Sequence, residues 1–216
     1  MCRLKRIFSF GRNGKDTRKT SRLPDYHWEV AKVSERINVE EMEAIERLYE
    51  SLHLATEHYI IYQSLKGKSE NVNIIDVDRK QFMVLTQDAH IQMYIEIWCK
   101  VFGSERNNDM HWKRFVSEEE FLLELSEKGI GKDDFEKKSQ EMKEFRNKYI
   151  SHSDSDYPMV PILDGTIDVL CAFDRAVEQH CQLNSEIYSE MFGTLDDYVD
   201  ARKNAYFDIV DELAMN

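Results

Sequence analysis

A chain of 216 residues holds one domain or two small ones, and a core of that size needs neither a metal nor a disulfide framework to fold. Three prolines and eight glycines are too few to turn the many short strands of a sandwich or barrel, so long helices are expected. A formal net charge of −12 argues against a protein that coats nucleic acid over most of its surface, because a phosphate backbone would be repelled.

The charge is unevenly spread. Residues 1–22 carry eight basic side chains against one acid, Asp16, which leaves the rest of the chain at −19. Residues 1–23 therefore read as a basic, poorly ordered arm, with a dedicated contact to RNA or to a membrane surface as the alternative. Residues 24–216 read as a single helical domain. The start of the chain has no apolar export segment, and Cys2, Cys99, Cys171 and Cys181 form no CxxC pair, which fits a reducing cytoplasm. Cys99, Cys171 and Cys181 sit among apolar neighbours and read as small buried hydrophobes. No run approaches the ~18 apolar residues that span a bilayer, so no membrane partner is expected.

Leu23-Pro24 interrupts helix propagation, and Tyr26 and Trp28 are candidate anchors where the arm joins the body. From Val39 to Leu65, the residues Val39, Met42, Ile45, Leu48, Tyr49, Leu52, Ala55, Tyr59 and Tyr62 recur at three and four and predict a first helix. A second runs from about Asp78 to Phe102, with Phe82, Leu85, Ala89, Met93, Ile97 and Val101 as its apolar face and Gly103 as its stop. Ser117 and Glu120 have the spacing of a capping box ahead of a short third helix that closes at Gly129. Residues 132 to about 150 carry Phe135, Met142, Phe145 and Tyr149 on one side, which predicts an amphipathic fourth. Pro158 and Pro161 keep the next connection extended, Asp164 can cap a fifth helix reaching Gly193, and Thr194 opens a sixth. The expected fold is all-α, an antiparallel bundle of five to six helices.

Most enzyme signatures are missing. There is no HExxH, no GxxxxGK[ST], no GxGxxG and no GxSxG, so no cofactor is expected. His53 and His58 lie five apart, about 140° round a helix, which is poor geometry for one ion, and Asp76-Val77-Asp78 lacks the glycine and distal glutamate of a calcium loop. No metal site is expected.

What remains is Arg146-Asn147-Lys148-Tyr149-Ile150-Ser151-His152, where a helix end can bring a guanidinium and an imidazole together. Imidazole titrates near neutrality and can take a proton from a ribose 2′-hydroxyl or return one to a leaving oxygen. Guanidinium is always charged and forks onto two phosphate oxygens, which suits it to the charge that develops at a five-coordinate phosphorus. Asn147 adds a neutral amide able to orient either group. Similar Arg and His spacing recurs at Arg22/His27, Arg47/His53, Arg106/His111 and Arg175/His180. Requiring Asn, Asp or His directly after the arginine leaves Arg106-Asn107 and Arg146-Asn147, and only Arg146 is placed on a predicted helix.

The longer string, Phe145-Arg-Asn-Lys-Tyr-Ile-Ser-His-Ser-Asp154, resembles the HEPN superfamily and, more narrowly, its AbiU-type abortive-infection branch. Trp98-Cys-Lys-Val-Phe-Gly103 and His111-Trp112-Lys113 are similar to the middle region of that branch, and the resemblance covers about residues 40–190. It implies metal-independent endoribonuclease chemistry in a homodimer, with Arg146, Asn147 and His152 of both protomers facing one cleft and RNA as substrate. A toxin or phage-defence role with an antitoxin protein as partner is implied likewise. HepT-type toxins carry a tyrosine two residues after the histidine, and Asp154 stands there instead, so regulation through such a tyrosine is not expected. Asp154, His111 and Trp112 are possible accessory residues of the cleft.

Competing readings exist. His152 can bind the last helical carbonyls while Arg146 pairs with Asp154 or Asp156, a common use of basic side chains at helix ends. The chain would then be a non-catalytic interaction module or a nucleotide-binding sensor with the same fold.

Overall fold

The computed structural model describes residues 39–66, 68, 77–150, 161–180 and 193–215, all within one unit of the chain, Ile37–Asn216. The basic arm, Tyr26, Trp28, Asp76, Pro158, Cys181 and the segment containing His152, Asp154 and Asp156 lie outside the described residues, as do the side chains of Val39, Met42 and Tyr149. Six α-helices are described: α1 (Val39–Leu65), α2 (Val77–Phe102), α3 (Glu118–Glu127), α4 (Lys132–Phe145), α5 (Thr166–His180) and α6 (Leu195–Met215). A 3-10 turn, Trp112–Arg114, precedes α3, and a π-helical turn, Arg146–Ile150, continues α4. No strand occurs among the described residues, and the fold is the all-α bundle that the sequence predicts.

The three-and-four pattern of α1 becomes its buried face. Ile45, Leu48, Tyr49, Leu52, Ala55, Tyr59 and Tyr62 all lie in the core. Leu65 shares a small apolar cluster with Met83, whereas the Tyr59 ring lies tilted against Tyr94 at 5.3 Å, so α1 and α2 run antiparallel. His58 and His90 also meet across this seam. On its other flank α1 meets α6, where His53 packs against Tyr198 at a ring separation of 4.2 Å and Glu57 takes an ion pair from Arg202 at 3.3 Å.

α2 departs from expectation. The predicted apolar face holds only at its C-terminal end, where Ile97 and Val101 are buried; Ala89 is exposed, and Phe82, Leu85 and Met93 are 64%, 60% and 45% exposed. The buried face is instead Met83, Ile91, Tyr94, Ile95, Trp98 and Phe102. Both faces are apolar, and the one carrying Tyr94 and Trp98 buries the larger surface, which is the stronger driving force.

Phe102 is the hub of the core. Its ring lies 4.5 Å from Trp98, 5.8 Å from Phe121, 5.8 Å from Phe135 and 5.4 Å from Phe173, tying α2 to α3, α4 and α5. Edge, tilted and offset-stacked aromatic contacts of this kind add roughly 0.5–1.5 kcal/mol each beyond the area they bury. Gly103 follows at once, but it does not adopt the left-handed conformation of a glycine helix stop. Its reason is contact: a Cβ there would stand 2.1 Å from the Cys99 carbonyl oxygen.

The remaining ends are set locally. Ser117 Oγ accepts from Glu120 N at 3.3 Å while Ser117 N donates to Glu120 Oε2 at 2.9 Å, the reciprocal capping box expected at α3. Gly129, at φ 74°, ends that helix in the left-handed conformation. α5 starts at Thr166 rather than at a cap by Asp164, because Gly165, at φ 73°, turns the chain and its carbonyl accepts the first helical N–H, from Val169 at 3.2 Å. The predicted continuation of α5 towards Gly193, with Leu183 and Ile187, falls outside the described residues beyond His180. Thr194 caps α6 by accepting from Asp197 N at 3.2 Å. Buried Asp174 accepts from Leu195 N at 3.0 Å, and Asp196 joins Arg175 at 2.7 Å and Lys128 at 2.8 Å, fastening α6 to α5 and α3.

Candidate functional site

α4 buries Phe135, Ser139, Met142 and Phe145 and leaves its charged residues outside. At Phe145 the regular ladder stops. The Arg146 N–H is shared between the carbonyls of Lys143 and Met142, and the five residues Arg146–Ile150 form a π turn, a helical irregularity that recurs at functional sites.

Arg146 is half-buried and Asn147 exposed. The Asn147 Oδ1 accepts from Arg146 Nε at 3.2 Å and from Nη2 at 2.9 Å, so one amide oxygen grips one edge of the guanidinium. Two of the five guanidinium N–H groups are thereby used, and no hydrogen bond from the other three is seen among the described residues. Arg146 forms no ion pair with a carboxylate among the described residues. Its charge is felt at Cys99 on α2: burial pushes that thiol up to about 12, while Arg146 and, more weakly, Lys143 pull it down. Cys99 and Cys171 are both free and buried, in line with their reading as small hydrophobes.

Two of the three accessory candidates, His111 and Trp112, sit on the wall of a cleft of about 470 Å³ that Arg146 and Asn147 do not line. One wall of this cleft is a face of α4, with Lys132, Glu136, Ser139, Gln140 and Lys143 at helical spacing. The other is formed by the end of α2, the 3-10 turn and the start of α3, over a floor of Phe102, Trp112 and Phe135. His111 is 4% exposed, and its Nδ1 accepts from Lys113 N at 3.4 Å. Burial lowers its pKa; Glu105 opposes that shift and Lys113 and Lys143 reinforce it, so the ring is neutral at pH 7. Ser139 is 6% exposed, and its Oγ has no hydrogen-bond partner among the described residues.

Charge in the cleft is mostly compensated. Glu118 takes Lys132 at 2.6 Å and Lys113 at 3.5 Å, and Lys132 also reaches Glu136 at 3.8 Å. Lys143 is the lining cation without a carboxylate partner among the described residues. It stands one helical turn before Arg146 and bears on both His111 and Cys99, which makes it the link between cleft and π turn.

The structure thus brings Arg146 and Asn147 into direct contact and places His111 and Trp112 in an adjoining cleft. His152 and Asp154 lie outside the described residues. Sequence reading passed over Lys143, Ser139 and Gln140, although the spacing 132, 136, 139, 140, 143 marks one helical face. Among the described residues, no group of three or more His, Cys, Asp or Glu side chains is placed to hold a metal ion, and no helix is long and apolar enough to cross a membrane. Comparison with protein-family models, with curated proteins and with solved structures finds no match to this chain.

Proposed function

We propose that the chain is a metal-independent endoribonuclease of the HEPN type, working as a homodimer and serving as a toxin or phage-defence effector. The observation that carries this reading is the Arg146 guanidinium, aimed by Asn147 from a π turn at the end of α4 and left without an acidic partner among the described residues. A guanidinium held by a neighbouring amide, with donors not taken up among the described residues, suits an oxyanion-bearing transition state, because it stabilises developing charge without having to reorganise.

In the proposed reaction His152 removes the proton of a ribose 2′-hydroxyl. The 2′-oxygen attacks the adjacent phosphorus, the bond to the 5′-oxygen breaks, and that oxygen takes a proton from the histidine of the second protomer. The products are a 2′,3′-cyclic phosphate and a 5′-hydroxyl end. Arg146 binds the non-bridging oxygens throughout, and neither step draws on a metal. Pairing of two copies is supported by the apolar stripe on α2, where Phe82, Leu85, Ala89 and Met93 stand exposed on one side. A protein partner such as an antitoxin would neutralise the enzyme by competing with this pairing.

The test uses purified full-length protein, single-stranded RNA and EDTA. Cleavage leaving cyclic phosphate ends is expected, with loss in His152→Ala and Arg146→Ala. Equal cleavage by all three proteins would remove the assignment. No cleavage by the unaltered protein, together with harmless expression in cells, would favour the non-catalytic module instead.

A further inference from the structure

We infer that the cleft between α4 and the His111–Lys113 turn is a ribonucleotide subsite, holding the sugar and base next to the phosphate that Arg146 engages. The inference rests on the nuclease reading for its place in the reaction, but its chemistry is argued from the cleft itself.

A volume of about 470 Å³ is in the range of small-molecule sites, which combine an apolar floor with a few convergent polar groups. Phe102, Trp112 and Phe135 supply the floor. His111, neutral at pH 7, and Ser139, with a buried hydroxyl lacking a described partner, supply uncharged hydrogen-bonding groups. A buried hydroxyl left unpaired is unfavourable, and a ligand with its own donor or acceptor there would relieve it. Lys143 supplies the one lining cation not already matched by a carboxylate among the described residues, and Glu105 is the lining carboxylate without an ion pair among them. A flat, largely apolar body with polar edges and a single anionic group fits that set, and a nucleoside monophosphate has this composition.

The position of Lys143 gives the direction. Residues three apart on a helix are neighbours on its surface, so Lys143 and Arg146 offer two successive cationic steps along α4. Both act on Cys99, and Lys143 alone of the two also acts on His111 inside the cleft. A strand of RNA with one phosphate on Arg146 would place its neighbouring phosphate on Lys143 and the attached nucleoside over Trp112 and Phe135. Longer RNA would therefore bind through the cleft, and the local basic track explains how an acidic body can accept a polyanion at one place.

The experiment has two arms. In the first, the full-length protein is titrated calorimetrically with the 3′-monophosphates of the four ribonucleosides and, separately, with inorganic phosphate. At least one nucleotide should bind more tightly than phosphate, and Lys143→Ala and Gln140→Trp, the latter plugging the mouth, should each weaken it by roughly tenfold. Equal affinity for phosphate and nucleotides, or nucleotide binding unchanged in both variants, overturns the inference. The second arm measures RNA cleavage by the same variants, with thermal melts confirming that they fold. A raised KM with kcat nearly kept supports the subsite, whereas unchanged KM and kcat overturn it even if the nuclease stands. Nucleotide binding that depends on Lys143 in a protein that cuts no RNA would overturn the nuclease reading and retain the cleft as a nucleotide site.

Discussion

His58 of α1 and His90 of α2 meet Nδ1 to Nδ1 at 2.7 Å, so one imidazole donates a proton there and the other must be without one. Both groups are held below the ordinary histidine value, chiefly by burial; for His58 the facing His90 adds to this and Glu57 opposes it. A folded-state pKa below the unfolded one means that the unfolded chain binds protons first as pH falls. Their contribution to stability is therefore complete above about pH 6.5 and declines as pH drops through the lowered values. Urea midpoints should fall between pH 7 and pH 5, and a His58→Gln/His90→Gln double variant should show a shallower decline. His53, which burial drives down to about 4, will keep some slope in that variant. An identical slope in both proteins would count against the pair as the source.

Gly103→Ala should destabilise the protein by about 1–3 kcal/mol, the usual cost of forcing an atom into packed surroundings. The added Cβ would lie 2.1 Å from the Cys99 oxygen and 3.1 Å from its carbonyl carbon, so backbone must move. Chemical denaturation measures the loss. A neutral result would mean that the end of α2 relaxes freely.

Asp174→Ala should cost about 1–3 kcal/mol, because the buried carboxylate meets the first N–H of α6, at Leu195. Hydrogen exchange at the start of α6 should accelerate more than exchange in the middle of α1. Protection lost equally everywhere would point to a global effect instead.

If Arg146 forks onto phosphate, Arg146→Lys should lower kcat by about 100-fold to 1,000-fold with a smaller change in KM, since an ammonium cannot reproduce the planar fork. Asn147→Ala should lower it less, by releasing the guanidinium edge now held at 2.9 and 3.2 Å. Full activity in Arg146→Lys would leave only a point charge at that position.

Local signals were the most readable in this chain. Ser117 and Glu120 declare a cap through their own spacing, and Thr194 does the same, because the bonds involved span only three residues. The apolar face of α1 was equally plain, having no rival on that helix. α2 has two apolar faces, and the choice between Phe82 and Tyr94 is made by neighbours distant in sequence. Of the candidate site, the Arg146 and Asn147 contact could be anticipated because adjacent residues at a helix end share a short reach. The cleft could not: its walls come from α2, α3 and α4, and nothing in 132–143 announces that one polar side is roofed by the His111 turn.

A π turn is, in effect, a helix that has absorbed one extra residue without breaking. Excising a single residue within Arg146–Ile150 would let α4 run on in ordinary register, because four α-helical residues carry the chain about as far round the axis as the wider five-residue π turn; the core would be left largely undisturbed while the polar string lost a position. The bundle would tolerate such a deletion far better than the polar string would. In descendants of this chain, single-residue length changes are accordingly a cheap route by which the scaffold could outlive whatever chemistry the string performs.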